Sequence, residues 1–87
     1  MADADLLAMA QDELARACTL SWRELAKVTP WGDTFDGISP AGRHVQVERG
    51  YLWADADGGD ILCEVRVYPN AALYEAGETV RRLVRKG

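Results

Sequence analysis

The sequence predicts an α+β fold: an N-terminal helix (long, then short or bent) packs on a three-stranded antiparallel β-meander, and a C-terminal helix follows. Residues 3–19 carry apolar side chains at helical spacing, whereas residues 44–54 and 60–68 alternate apolar with polar side chains. Residues 78–86 place an apolar stripe beside a basic end, which is typical of a helix C-terminus. At 87 residues, the chain is expected to form one small domain, residues 1–87.

The first helix is predicted from an apolar stripe with spacings of three and four residues, formed by Leu6, Leu7, Ala10, Leu14, Ala17 and Cys18. Asp12, Glu13 and Arg16 are assigned to the opposite, polar face. Ser21 and Glu24 have the spacing of a capping box, which predicts a second short helix over 22–28. Its inner side is expected to carry Trp22, Leu25 and Val28. Pro30 is expected to end it, because a residue before proline avoids helical geometry.

The stretch "TPWGDTFDG", residues 29–37, combines turn-forming residues with two aromatic rings. We interpret it as a closure loop that crosses from the helices to the sheet, with Trp31 and Phe35 inserted between the two layers. Asp33 and Asp36 are then expected at the mouth of any pocket. A short strand over 34–38 is left open at this point.

The apolar patterns of residues 44–54 and 60–68 predict how these two strands pair. When residues whose numbers sum to 114 are paired, Val47 lies opposite Val67 and Tyr51 opposite Cys63. Glu48 then falls opposite Arg66 on the outer face, although only apolar residues were used for the alignment. The same register leaves residues 56–58 at the hairpin tip, where Gly58 is free to adopt a left-handed conformation.

Charge and composition argue against several classes of protein. Residues 1–78 hold 14 acids and six bases, a balance of −8, and residues 79–87 hold four bases. An acidic body disfavours nucleic-acid binding. No apolar run reaches the ~20 residues of a membrane span, and the acidic N-terminus does not resemble a signal peptide. We therefore expect a cytoplasmic protein whose Cys18 and Cys63 are reduced, packed thiols rather than a disulfide or a catalytic thiol.

Few residues of this chain have side chains that commonly take part in catalysis or metal binding. His44 and Cys63 point to opposite faces in the predicted register, so no catalytic dyad is expected. The run "DADGGD" suits a hairpin tip, because the twelfth position of a calcium loop counted from Asp55 falls on Arg66. The sequence therefore predicts no metal, no cofactor and no enzymatic activity.

Arg49 stands out, because alternation places it on the inner face between Val47 and Tyr51. A buried cation needs a partner, and Asp33, Asp36 and Glu24 are the acids in segments able to fold over this face. Arg49 either pairs internally or snorkels to the sheet edge, or it binds an anion in an aromatic pocket. The candidate ligand-binding residues are Trp31, Asp33, Asp36, Arg49, Tyr51 and Trp53.

The function that these features favour is a non-catalytic binding or interaction module with a protein or small-ligand partner. A homodimer is expected, because the outer sheet face carries an apolar patch formed by Leu52, Leu62 and Tyr68. One alternative is a small-molecule binder or enzyme that uses an aromatic pocket near residues 29–37. A second alternative is a nucleic-acid-associated accessory protein that uses the basic end "RRLVRK".

Overall fold

The computed structural model describes residues 3–87 and begins with two helices, α1 (Ala4–Ala17) and α2 (Trp22–Val28). Asp3 caps α1, since its side chain accepts hydrogen bonds from the backbone N–H groups of Asp5 and Leu6. The predicted capping box of α2 is present, with Ser21 and Glu24 bonding each other's backbone N–H groups. Local sequence signals therefore set both helix starts. Val28, expected on the inner side of α2, is 45% exposed.

Four strands follow the helices and form one antiparallel sheet in the order β1-β2-β3-β4. Their bounds are β1 Trp31–Ile38, β2 His44–Trp53, β3 Ile61–Tyr68 and β4 Glu78–Val84. A 3₁₀ helix, Ala71–Ala76, lies between β3 and β4. The α+β class, the N-terminal helices and the antiparallel sheet are as predicted, but the sheet has four strands rather than three. None of the described helices is long and apolar enough to cross a membrane.

The predicted register of the two central strands is confirmed. Val47 pairs with Val67, Tyr51 with Cys63, and Glu48 with Arg66. Gly58 at the hairpin tip has a φ of 81°, the left-handed conformation that glycine adopts without a Cβ penalty. Arg66 lies opposite Glu48 but donates instead to Thr79 Oγ1 at 2.6 Å and to the backbone carbonyl of Tyr74.

The predicted C-terminal helix was wrong, because residues 78–84 form β4. The apolar side chains Val80, Leu83 and Val84 fit a helical stripe, but the segment also alternates, and Val80 and Val84 pair with inward-facing residues of β3. β-Branched residues favour a strand. The open edge of β3 supplies backbone partners that an isolated helix lacks, so tertiary pairing decides the structure. Helical structure after Pro69 is limited to the 3₁₀ segment.

The interpretation of residues 29–37 as a closure loop was also wrong, since β1 begins at Trp31 and runs without interruption to Ile38. Its glycines and aspartates are tolerated because β1 is an edge strand. Trp31, Asp33 and Phe35 share the inner face of the sheet, since they pair with Tyr51, Arg49 and Val47. The segment therefore extends the sheet instead of sealing it.

The core lies between α1 and the inner faces of β3 and β4, the strands against which α1 packs. Its fully buried members include Leu6, Leu25, Ile61, Val65 and Val67. On the outer face, the 3₁₀ helix folds over the end of β3. There the ring of Tyr74 meets Tyr68 edge-on, with centroids 4.8 Å apart. The inner residues Val45, Val47 and Tyr51 of β2 are buried as well, whereas Trp31 of β1 is 36% exposed. The inner face is therefore least covered along β1.

A candidate binding groove between α1 and strands β1 and β2

A groove of about 580 Å³ lies between α1 and the inner side of strands β1 and β2. One wall consists of α1 and the residue stretch after it: Glu13, Arg16, Ala17 and Leu20. The floor comes from the two strands: Asp33, Phe35, Arg49 and Tyr51. The wall and floor therefore combine apolar surface with two acids and two bases.

Arg49 on the groove floor is paired with Asp33 on the neighbouring strand. Its Nε donates to Asp33 Oδ1 at 2.9 Å, and its Nη2 donates to Asp33 Oδ2 at 2.5 Å. The two residues are register partners, so the sheet itself sets this two-bond geometry. The hydrogen bond from Arg49 lowers the pKa of Asp33, and the same bond raises the pKa of Arg49. Both side chains therefore stay charged within the groove at neutral pH.

Glu13 is the second acid near Arg49, and sequence analysis had assigned it to the polar face of the first helix. Its carboxylate lies 3.9 Å from Arg49 Nη1, and its side chain is only 12% exposed. Arg16 donates to the same carboxylate at 3.2 Å and forms an ion pair with Asp12 at 2.8 Å. Glu13 was missed because it lies at the boundary of the apolar stripe, where periodicity alone does not tell which way a side chain turns.

Aromatic rings surround the guanidinium of Arg49. Its Cζ lies 4.7 Å from the centre of the Phe35 ring and 5.3 Å from that of Trp31, both within cation–π range. Trp31 stacks on Tyr51 with centroids 5.0 Å apart. Burial raises the pKa of Tyr51, so its hydroxyl stays protonated and can donate a hydrogen bond. Trp31 is the most exposed of these rings, whereas Tyr51 is buried.

The groove is lined by three of the six candidate ligand-binding residues, namely Asp33, Arg49 and Tyr51. A fourth, Trp31, lies beside the groove and stacks on Tyr51. Asp36 lies on the outer face, where it accepts a hydrogen bond from Gln46. Trp53 packs against the hydrophobic core instead of lining the groove.

A second depression of about 280 Å³ continues the groove along α1. It shares Glu13 and Arg16 with the first and extends past Met9 to Ser39 and Pro40. The methyl group of Met9 lies over Gly37, so α1 touches β1 at this point. The stretch of α1 from Ala8 to Ala17 along both depressions is about 14 Å long at 1.5 Å per residue. The combined groove is thus elongated and runs beside β1.

The outer face carries a different feature, a row of leucines in register across three strands. Leu52 pairs with Leu62, and Leu62 pairs with Leu83. Leu52 is 49% exposed and Leu83 is 44% exposed. Tyr68, expected in this patch, is buried beneath Tyr74. Leu83 was not predicted in this row, because residues 78–84 were expected to form a helix instead of a strand.

Cys63 and His44 lie on opposite faces of the sheet. Burial raises the pKa of the Cys63 thiol to about 11, and the Cys18 thiol beside it contributes to the shift. His44 is exposed and lies on the opposite face, next to Ile38 of β1. Within residues 3–87, the structure contains no cluster of three or more His, Cys, Asp or Glu side chains able to hold a metal ion.

Comparison with known proteins finds no family model that matches this chain, and no curated protein or solved structure that is similar to it.

Proposed function

We propose that the protein is a non-catalytic binding module whose ligand-binding surface is the groove between α1 and strands β1 and β2. The observation that carries this proposal is the partly open inner face of β1, next to the partly exposed Arg49 of β2. Trp31 is 36% exposed there, although it lies on the side of the sheet that the helix would normally cover. Exposed aromatic residues on a concave surface are typical of binding sites.

The polar groups of the groove favour a role in ligand binding over a role in packing alone. Arg49 is held by Asp33 through two hydrogen bonds, so its position is fixed before any ligand arrives. A rigid polar centre beside flat aromatic rings reduces the entropy that a ligand must lose on binding. An apolar side chain of a ligand would contact Phe35 and Leu20, while its polar groups would meet Arg16 and Glu13.

The non-catalytic part of the proposal is supported by the protonation states of the reactive residue types. A thiol with a pKa of about 11 is protonated near neutral pH, and only the thiolate is a strong nucleophile. His44 lies on the outer face of the sheet and Cys63 on the inner face, so the imidazole is not placed to act as a base for this thiol. The two thiols suit a reducing compartment, which favours the cytoplasm.

The groove can be tested with the N-acetyl amides of leucine, phenylalanine and arginine as probes, because these present single side chains without a free terminus. We expect a saturable change in tryptophan fluorescence that is lost in Trp31→Phe. Trp22 and Trp53 remain in that variant, so a signal that persists would place the binding elsewhere. The matched control Leu52→Ser alters the outer face and is expected to leave the response unchanged. No saturable response to any probe would contradict the proposal.

We also propose that a second copy of the chain covers the outer face and forms a homodimer. The leucine row favours this, because Leu52, Leu62 and Leu83 continue an apolar strip across three strands on the face that the helices leave open. Sedimentation at tens of micromolar (~10⁻⁵ M) should show a dimer, and Leu52→Lys should shift it to a monomer. Leu73→Lys, at an exposed leucine of the 3₁₀ helix, is the matched control. A wild-type monomer at this concentration would contradict the dimer.

A further inference from the structure

We propose that β1 is a docking edge for an extended peptide of alternating apolar and basic residues, which adds to the sheet as a fifth strand beside the groove. This inference rests on the proposed binding function and names the chemical class of the ligand. Within residues 3–87, β1 has a neighbouring strand on one side only, so its other edge presents backbone N–H and C=O groups without strand partners.

The residues on the inner side of β1 favour apolar side chains in the docked peptide. A strand added to β1 would place every second side chain on the inner face, beside Trp31 and Phe35. The groove lies next to these rings and gives the apolar side chains a partly enclosed space of about 580 Å³. Cross-strand contacts between aromatic and β-branched side chains are among the favourable pairs in antiparallel sheets.

The residues on the outer side of β1 favour basic side chains in the docked peptide. Asp36 lies on the outer face, and Glu48 lies there on the next strand. β1 itself contains two aspartates and no basic residue. Both aspartates turn back toward β2, since Asp33 binds Arg49 and Asp36 binds Gln46. Asp33 is thus neutralised by Arg49 on the inner face, whereas Asp36, bonded to a neutral amide, keeps its negative charge on the outer face and leaves the edge open.

The opposite edge of the sheet has a different character. β4 carries Arg81 and Arg82, and Arg82 is an exposed cation. Basic side chains on an edge strand oppose pairing with another basic strand. The groove runs alongside β1 and not β4, and the wall from Ala8 to Ala17 is long enough for about four extended residues at ~3.3 Å each.

The probe is an acetylated and amidated hexapeptide of alternating valine and lysine, added to the full chain at up to about 1 mM. We expect a saturable change in backbone amide resonances of Trp31–Ile38, and a weaker one with the valine–glutamate peptide. Asp36→Asn should weaken binding about threefold, because a single exposed charge pair contributes little. Glu75→Asn removes one exposed acid from the 3₁₀ helix and should have no effect.

Backbone methylation of the probe tests strand addition itself, because alternate N–H groups of a strand point to opposite edges. One peptide is N-methylated at its valines and the other at its lysines. We expect one of them to bind as the parent peptide does and the other to lose binding. Equal binding of both, or loss of both, would overturn strand addition. If the amide resonances of β1 instead shift as the protein concentration rises without peptide, the edge pairs with a second copy of the chain. That result would also overturn the peptide-docking proposal.

The outcomes separate this inference from the proposed function. If the N-acetyl amides bind in the groove but neither alternating peptide does, the groove is a ligand site and the strand-addition inference fails alone. If no probe perturbs Trp31, Phe35 or Tyr51, both proposals fail.

Discussion

Arg49 shows how one residue is constrained by the strands around it. Alternation along β2 forces its side chain to the inner face, and the β1–β2 register places Asp33 directly opposite. The guanidinium then lies between Phe35 and Trp31, with Glu13 reaching it from the helix. A cation in an otherwise apolar row is tolerated because its guanidinium meets two acids and two aromatic rings, while 29% of the side chain stays exposed to water.

Arg49→Met should lower the free energy of unfolding by about 1–2 kcal/mol, because Asp33 and Glu13 would lose their cation in a half-buried site. Urea denaturation measures this change. Arg82→Met removes an exposed arginine and should stay within about 0.5 kcal/mol of wild type. Loss of probe binding with unchanged stability would instead assign Arg49 to ligand recognition alone.

The ion pair also predicts a pH dependence. The pKa of Asp33 is lowered by Arg49 from its ordinary value of 3.8, so ionised Asp33 stabilises the folded state above that pH. This contribution is lost as the pH falls through the lowered folded-state pKa. The stability difference between wild type and Asp33→Asn should therefore be full near pH 7 and shrink below about pH 4. A difference that stays constant down to pH 2 would contradict the pairing.

The two cysteines should differ in reactivity. Burial raises the pKa of Cys63 to about 11, whereas Cys18 is partly exposed. At pH 8, iodoacetamide should modify Cys18 faster than Cys63, which is measured by mass spectrometry on Cys18→Ser and Cys63→Ser variants. His44→Ala should leave both rates unchanged. Faster alkylation of Cys63, or a dependence on His44, would show an activated thiol.

At the scale of elements, the entry into β4 depends on a close backbone approach at Gly77. A Cβ at this position would lie 2.7 Å from the carbonyl oxygen of Val67 and 2.8 Å from Cβ of Tyr68. Since one of these atoms belongs to the backbone of β3, the clash cannot be relieved by a rotamer change alone. The 3₁₀ helix must therefore pass directly over the end of β3 before the chain turns into β4.

Gly77→Ala should destabilise the protein by about 1–3 kcal/mol, the usual cost of overpacking. A fall in Tm of about 4–8 °C for each kcal/mol is expected in a domain of this size. Gly50→Ala is the matched control in β2, because its Cβ would meet only the carbonyl oxygen of Trp31 at 3.6 Å. Equal stability of the two variants would contradict the close approach.

Elements with local or pairwise signals were predictable from sequence. The helix caps, the β2–β3 register and the conformation of Gly58 each depend on residues close in sequence or directly opposed. β1 and β4 were misjudged, because glycine, aspartate and arginine obscure a strand whose backbone partners lie on another segment. The groove was predicted only in part for the same reason: alternation along β2 placed Arg49 and Tyr51 in it. Trp53 packs against the core instead, and Glu13 could not be assigned without the position of α1.

At the scale of the whole molecule, the distribution of layers and charge defines four open surfaces. α1 covers β3 and β4 but leaves the groove, the leucine row lies on the outer face, and both sheet edges are free of further strands within residues 3–87. An acidic body with a basic last segment should attract cationic partners to the part of the sheet that holds β1. Binding of the alternating basic peptide should therefore weaken as the salt concentration rises.

The central claim is that ligands bind in the groove, and a map of backbone amide chemical shifts tests it most directly. On titration of the full chain with the valine–lysine hexapeptide, we predict that the perturbed residues lie on the groove side. They should include Trp31–Ile38 of β1, Arg49 and Tyr51 of β2, and Glu13 to Ala17 of α1. Perturbations centred on Leu52, Leu62 and Leu83, or none with either this peptide or the N-acetyl amides, would contradict the claim.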